Sequence, residues 1–329
     1  MTWFERLTGF AETTPEVVRS RMSVDGPLLR AADRAWKYGR LEIPSLAELR
    51  DAARSSGTAP TSPTRVRELV ADVQTLHADP SNAGAVFQVA SQFNLLEMVG
   101  PSVTPEQGVS QYESDPTQGP ACAIACGAGT IYRNYFMPLN GESGQTADRQ
   151  VDCSACLEAA LRGGRDRPLW KTRNGYALPD AESLAAACGA IGECGEAERD
   201  ALRATVRVGV QSGTQVTLPG CDHTVTQVFC SAMPVSYSEH TAAAWEPLAR
   251  LTLEATYEAT LLTARREGAG RPVFLTLVGG GAFGNRTRWI EDAIVRAVQL
   301  VDGLDVRIVS YGRPNRSVAA VIDRVDALP

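Results

Sequence analysis

Lysine is almost missing from this sequence: Lys37 and Lys171 stand alone among 32 basic residues, the rest being arginine. Such a bias follows from base composition and carries no mechanism. Histidine is scarce too, at three residues, His77, His223 and His240. None sits at a zinc-finger spacing, and no Ser/His/Asp triad finds support. No apolar run approaches the ~20 residues of a membrane span. The start, MTWFERLTGF, is interrupted by Glu5 and Arg6 and lacks the apolar core of a signal peptide. A cytoplasmic location is expected, with the eight cysteines as thiols. Cys153 and Cys156 form one CxxC with no second to complete a metal site. A net charge of −6 and a pI of 5.3 exclude a general nucleic-acid or membrane-surface binder.

What is present is an ordinary apolar fraction, 44%, in 329 residues, enough for one large domain or two small ones. Leu28, Leu29, Ala32 and Trp36, then Leu46, Leu49 and Ala53, recur at helical spacing. Residues 1–63 therefore read as a helical extension ending in a polar linker, Ser55 to Pro63. From residue 64 to 329 strands alternate with helices. Strands are expected at Val66–Asp72, Ala85–Ser91, Val206–Val210, Thr224–Cys230, Val273–Val278 and Asp305–Ser310. Most are continuous apolar runs, as in strands covered on both faces. Helices are expected at Pro120–Tyr135, Glu182–Ala190, Trp245–Arg266 and Thr287–Leu300. The alternation predicts an α/β sandwich with a mixed, largely parallel sheet. An irregular insertion is expected around residues 138–205.

The sharpest local signal is Val273-Phe-Leu-Thr-Leu-Val278 running into Gly279-Gly-Gly-Ala-Phe-Gly-Asn285, with a helix soon after. A strand, a glycine loop and a helix start make an anion site, because glycine lets backbone N–H groups approach phosphate. The Gly-Lys-Ser/Thr of a P-loop is missing. Gly279, Gly281 and Gly284 match G-x-G-x-x-G, but this dinucleotide fingerprint normally opens a fold, and here it comes near the end. The next strand ends in Ser310-Tyr311 rather than an acid for a ribose diol. A nicotinamide-dependent oxidoreductase is thereby disfavoured.

The glycine loop and its flanks resemble the second diphosphate loop of macrodomains, the ADP-ribose-binding modules. Collinear matches support the likeness. Glu68 to Gln74 resembles the first strand and its Gly-Asp-Ile signature. Val86 to Asn94 resembles the strand that ends in Asn-Ala-Ala-Asn. Gln107-Gly108-Val109 resembles the end of the first glycine loop, and Val306 to Tyr311 the last strand. Departures are the single glycine, Gly108, in the first loop and Ser-Gln-Phe before Asn94. Gln92 to Met98 together with Thr117 to Ala123 resembles a divergent branch that includes bacterial effector hydrolases removing ADP-ribose from arginine, arginine of ubiquitin among them.

The resemblance implies a macrodomain-like three-layer sandwich that binds ADP-ribose. Asp72 and Val73 would receive adenine, with Tyr311 stacking and Asn315 near. Gln92 and Asn94 would face the distal ribose. Gly108 and Val109, and the run Gly279, Gly280, Gly281, Ala282, Phe283, Gly284 and Asn285, would wrap the diphosphate. Cleavage at the ribose C1″ passes through an oxocarbenium-like state that carboxylates stabilise. The loop Glu106 to Asp115 supplies three acids in ten residues, so Asp115, then Glu113, then Glu106 are the catalytic candidates, with Glu97 a further one. An arginine leaving group fits this excess of acids, since carboxylates bind a guanidinium in bidentate fashion. The expectation is an arginine-specific ADP-ribosylhydrolase. It would be a bacterial, cytoplasmic monomer acting on ADP-ribosylated protein, with no nucleic-acid or membrane partner and no metal or other cofactor. A reader module that binds ADP-ribose without cleaving it would need the glycine loop and Asp72 but not the acids.

Overall fold

The computed structural model describes residues 1–55, 62–267 and 270–328. The linker expected from Ser55 to Pro63 lies mostly outside them. The chain opens with α1 (Trp3–Thr8) and α2 (Pro15–Arg21). An antiparallel sheet of three strands follows, β1 (Met22–Asp25), β2 (Leu28–Ala31) and β3 (Arg34–Lys37), before β4 (Arg40–Glu42) and α3 (Leu46–Ser55). The helix expected through Leu28, Leu29, Ala32 and Trp36 is thus a hairpin. Leu29 and Ala31 are buried while Arg30 is exposed, a period of two, and Ala32 turns the chain at φ 51°. Apolar residues at 28, 29, 32 and 36 suit either period, and the turn decides between them.

The main body carries β5 (Arg65–Val70), α4 (Val73–Ala78), β6 (Val86–Ala90), α5 (Gln118–Ala125) and α6 (Gly127–Tyr135). The expected single helix from Pro120 to Tyr135 is two, broken where Cys126 leaves helical geometry at ψ 56°. The insertion folds as two hairpins, β7 (Pro138–Leu139) with β8 (Glu142–Ser143) and β9 (Lys171–Arg173) with β10 (Tyr176–Leu178). Between and after them lie α7 (Ala155–Arg162), α8 (Ala181–Glu193) and α9 (Glu196–Thr205). The chain ends with β11 (Gly209–Gln215), β12 (Thr224–Cys230), α10 (Ala242–Glu267), β13 (Pro272–Leu275), α11 (Thr287–Leu300), β14 (Asp305–Ser310) and α12 (Arg316–Asp326).

The strand expected at Val206–Val210 begins later and runs into Gln211–Gln215, because its buried positions there are polar, Gln211 and Thr214.

The central sheet has seven strands in the order β4-β11-β12-β6-β13-β14-β5. The five from β12 to β5 are parallel, while β11 is antiparallel to both neighbours. β6 and β12 are buried almost throughout, as strands between two helical layers must be. One layer is built on α10, packed with α3, α8, α9 and α11; the other holds α4, α5 and α6. This is the expected three-layer α/β sandwich. The N-terminal segment belongs to the same body, since β4 is an edge strand of the sheet. Trp3, Phe4, Val18 and Leu29 share a second apolar cluster with Val109, Tyr112, Ile131 and Tyr135. Among the described residues no helix is long and apolar enough to cross a membrane.

Candidate active site

Ligands of parallel α/β sheets sit beyond the carboxyl ends of the strands, where neighbouring strands part. Here β13 pairs with β6 only at Val273 and Phe274. Beyond that point the two strands separate and the N-terminus of α5 enters the gap. The Gln118 side chain replaces the missing strand: its amide donates to Gln88 O at 2.8 Å and accepts from Ala90 N at 2.9 Å. Gly119 can approach because it has no Cβ, which would stand 2.0 Å from Ala90 O. The result is a cleft of about 900 Å³.

The glycine loop forms one wall. Tyr257 fixes its root, donating from its hydroxyl to Thr276 O at 2.7 Å and accepting from Val278 N at 2.9 Å. Asn285 fixes its end, its amide donating to Met233 O at 2.8 Å and its backbone N–H to Gly279 O at 2.9 Å. Gly284 must be glycine, with φ 69° and a Cβ position 1.8 Å from Ser236 Oγ. Among the described residues the N–H groups of Gly281, Ala282 and Phe283 are left without a partner. So are those of Gln118 and Gly119 at the uncapped start of α5. All five residues line the cleft, which gives it a set of backbone donors suited to an anion.

Towards β5 and β14 the cleft is lined by Asp72, Val73, Tyr311 and Asn315. Asp72 caps α4, its Oδ1 accepting from Gln74 N and Thr75 N, and its second oxygen makes no hydrogen bond among the described residues. Tyr311 is 81% exposed, an aromatic face with no ring stacked on it among the described residues. Glu68 holds this end together, one oxygen accepting from Ser310 Oγ and Asn315 N, each at 2.6 Å.

Towards β6 and β12 the cleft turns acidic. Glu97 is buried on its floor, and neither carboxyl oxygen has a hydrogen-bond partner among the described residues. Burial pushes its pKa up to about 8, against the opposing pull of Arg133. Asp115 lies in the same part of the cleft and orders the α5 entrance, Oδ1 accepting from Thr117 N. Tyr176, Tyr237 and Phe283 pack together on the wall, with centroids 4.8 to 5.6 Å apart. Glu113 lies on the rim, and its ion pair with Arg6 at 2.6 Å holds its carboxyl below the usual range. Arg6 is the one basic residue lining the cleft among those described.

With this geometry in hand, the chain resembles several solved structures in fold. A poly(ADP-ribose) glycohydrolase from Deinococcus radiodurans in complex with ADP-ribose shares 12% identity over 88% of this chain and 94% of its own, with a TM-score of 0.46. The poly(ADP-ribose) glycohydrolase from Thermomonospora curvata shares 14% identity over 94% of this chain and 95% of its own, with a TM-score of 0.44. The same enzyme bound to the inhibitor ADP-HPD gives 13% identity, the same coverage and a TM-score of 0.42. No family model and no curated protein matches.

The cleft therefore gathers Asp72, Val73, Gln92, Gly279, Gly281, Ala282, Phe283, Tyr311, Asn315, Asp115 and Glu113 from the residues expected on sequence grounds. Others lie outside its lining. Asn94 is buried behind it, donating to Gln150 and accepting from Leu96 N. Gly108 and Val109 face the Glu12 carboxylate, which takes the Val109 N–H. Glu106 accepts from Ala147 N, and Gly280, Gly284 and Asn285 serve the internal bonding of the loop. Gln92 uses its amide oxygen to accept from Met98 N, which shapes the turn carrying Glu97. Glu97 outranks the three acids of the 106–115 loop in burial. Its signal in the sequence is an isolated acid inside Phe93-Asn-Leu-Leu-Glu-Met-Val99. The CxxC thiols are free, Cys153 buried and Cys156 exposed.

Proposed function

We propose that this chain binds ADP-ribose and hydrolyses the glycosidic bond that joins it to a protein side chain. One observation carries the reading: a single cleft has an end lined by Asp72 and the exposed ring of Tyr311, free backbone donors in its middle, and a buried, unpartnered carboxyl at its far end. From β5 to β6 is three strand spacings of about 4.8 Å, the reach of an extended nucleoside diphosphate sugar. The diphosphate meets the N–H groups of Gly281, Ala282 and Phe283, and C1″ lies over Glu97 and Asp115.

In this scheme Asp115 takes a proton from the attacking water, whose oxygen bonds to C1″. The bond from C1″ to the leaving atom breaks, the electron pair goes to that atom, and Glu97 supplies its proton. A carboxyl kept neutral by burial suits the acid, and a solvated one suits the base. The linkage we favour is to arginine. With Glu97 neutral and Glu113 paired to Arg6, Asp115 is the acid at the far end that has no ion pair among the described residues, and it is left to meet a cationic leaving group. A monomer in the cytoplasm, needing no metal or other cofactor, completes the proposal.

Calorimetry with ADP-ribose and with NAD, followed by a release assay on arginine-, serine- and glutamate-linked substrates, tests it. ADP-ribose should bind in preference to NAD and be released from arginine. Binding without release from any linkage would leave a reader module, and binding of neither nucleotide would end the proposal.

A further inference from the structure

The loop that borders the acidic end of the cleft is held from outside as well as by its own turn bonds, Tyr112 N to Val109 O and Asp115 N to Tyr112 O, each at 3.1 Å. It runs from Gly108 to Asp115 and includes a short 3-10 turn, Ser110–Ser114. Residues 2–12 lie across it like a strap. The Glu12 carboxylate accepts from Ser110 N at 2.6 Å and Val109 N at 2.9 Å, and its other oxygen accepts from the Tyr135 hydroxyl at 2.7 Å. Gly108 makes room for that carboxylate: at φ 86°, a Cβ there would stand 2.5 Å from Glu12 Oε2. From the strap's other end the Trp3 indole donates to Val109 O and its backbone N–H to Glu113, each at 3.0 Å. The loop's central side chain, Tyr112, is 1% exposed, and its hydroxyl accepts from Glu97 N at 3.1 Å.

We propose that Glu12 and Trp3 are positioning residues: they clamp the 108–115 loop so that Tyr112 covers Glu97 and keeps water from it. The inference deepens the hydrolase reading and rests on it for the kinetic arm of its test. Physically, the carboxylate of Glu12 replaces the hydrogen bonds a bare turn would seek from water, so the loop stays closed over an apolar floor. Glu97 then faces Tyr112 from the loop, Arg133 from α6 and Cys122 from α5. Of these Arg133 stays charged, and it would favour an ionised Glu97 once water entered. Loosening the strap therefore lowers the proton affinity of Glu97 without touching the diphosphate wall.

The experiment follows the Glu97 carboxyl by infrared difference spectroscopy across pH, with Glu97→Gln marking its band, in the wild-type chain and in Glu12→Gln and Trp3→Phe. Release kinetics and ADP-ribose affinity are measured on the same samples. The expected result is a midpoint at least about one pH unit lower in both variants. Above the wild-type midpoint of about 8, where the shift removes most of the protonated acid, turnover should fall by ~10-fold, with ADP-ribose affinity kept within about threefold. An unchanged midpoint and turnover in folded variants would overturn the proposal. So would losses of affinity and turnover in parallel, the mark of a merely structural strap. If Glu12→Gln does not fold, Trp3→Phe decides, because it keeps an aromatic ring in the apolar cluster. If the wild-type chain releases no ADP-ribose, the functional reading fails, yet the carboxyl band still answers whether the strap seals Glu97.

Discussion

Glu97 Oε2 and Arg133 Nη2 stand 3.9 Å apart with both side chains sealed from solvent, and no hydrogen bond joins them. Arg133 spends its donors elsewhere, on Leu95 O, Gln211 Oε1 and Thr130 Oγ1, and its guanidinium stacks 3.7 Å from the Phe229 ring centroid. Its field reaches Glu97 but its protons do not. Burial then dominates, and the Glu97 carboxyl holds its proton up to about pH 8.

Glu97→Gln should therefore separate catalysis from binding and from stability. Release should fall at least ~100-fold, the scale of a general acid, while ADP-ribose affinity is kept. The wild-type rate should decline as pH rises through about 8, where the acid loses its proton. Stability moves in the same window. The folded carboxyl keeps its proton to about pH 8, whereas the unfolded one loses it around its ordinary value of 4.5. Folding takes up a proton between these values, so the stability that Glu97 contributes is fully present below 4.5 and is lost by about 8. The amide never ionises. Thermal melts should show Glu97→Gln gaining on wild type between pH 5 and pH 8, and a wild-type curve equally flat would contradict the buried neutral acid.

The acids of the 106–115 loop should rank by position rather than by number. Asp115 lines the cleft beside the entrance of α5, so Asp115→Ala should lower turnover by ~100-fold, a general-base contribution. Glu113 is occupied by Arg6 and Trp3 on the rim, and Glu113→Ala should cost less than Asp115→Ala. Glu106 answers Ala147 N outside the cleft, and Glu106→Ala should leave turnover within about threefold. Steady-state release assays on the three variants give the order directly, and an equal loss in all three would dissolve the assignment.

How far the sequence could be read depended on whether a residue's partner lay close in the chain. β12, α11 and β14 follow from apolar periodicity and match residue for residue, because continuous, alternating or 3.6-period burial leaves a local signature. The glycine loop was legible for the same reason: strand, turn and helix are consecutive. Gly108 also stood out, but its cause is Glu12, nearly a hundred residues away, so the glycine was legible and its reason was not. The hairpin of β2 and β3 escaped because four residues cannot separate two periods. Glu97 carries weight only through burial by Tyr112 and α5, which spacing does not encode.

Asp72 does two things, and the right substitutions can divide them. One oxygen caps α4 and the other is free in the cleft. Asp72→Ser keeps a cap acceptor and removes the second oxygen, so it should weaken ADP-ribose about tenfold or more, the effect of an unpaired buried donor on the adenine amine. An inosine analogue, which presents an oxygen there, should lose little. Asp72→Ala should show the same nucleotide pattern plus about 1 kcal/mol of lost stability from the missing cap. Equal losses for the two nucleotides would show that Asp72 acts only as a helix cap.

The glycine loop offers two glycines with opposite constraints, and they test the diphosphate wall without ambiguity about folding. Gly281 has nothing within 4 Å of a Cβ position and lies outside the left-handed region. A side chain there meets no protein atom, so Gly281→Ala should fold and bind ADP-ribose within a few-fold of wild type. Gly281→Glu should fold equally well but set a carboxylate beside the free N–H groups of Ala282 and Phe283. Repulsion with the diphosphate should then weaken ADP-ribose ~100-fold, and less so as salt screens the charges. Gly284 is the contrary case. Its φ of 69° and the Ser236 hydroxyl 1.8 Å from the Cβ position make Gly284→Ala strained. That variant should lose about 1–3 kcal/mol of stability and bind poorly through a displaced loop. Calorimetry paired with thermal melts distinguishes the two outcomes. A stable Gly281→Glu chain that still binds ADP-ribose at wild-type affinity would mean that the phosphates lie elsewhere in the cleft, with the start of α5 at Gln118 and Gly119 the next place to look.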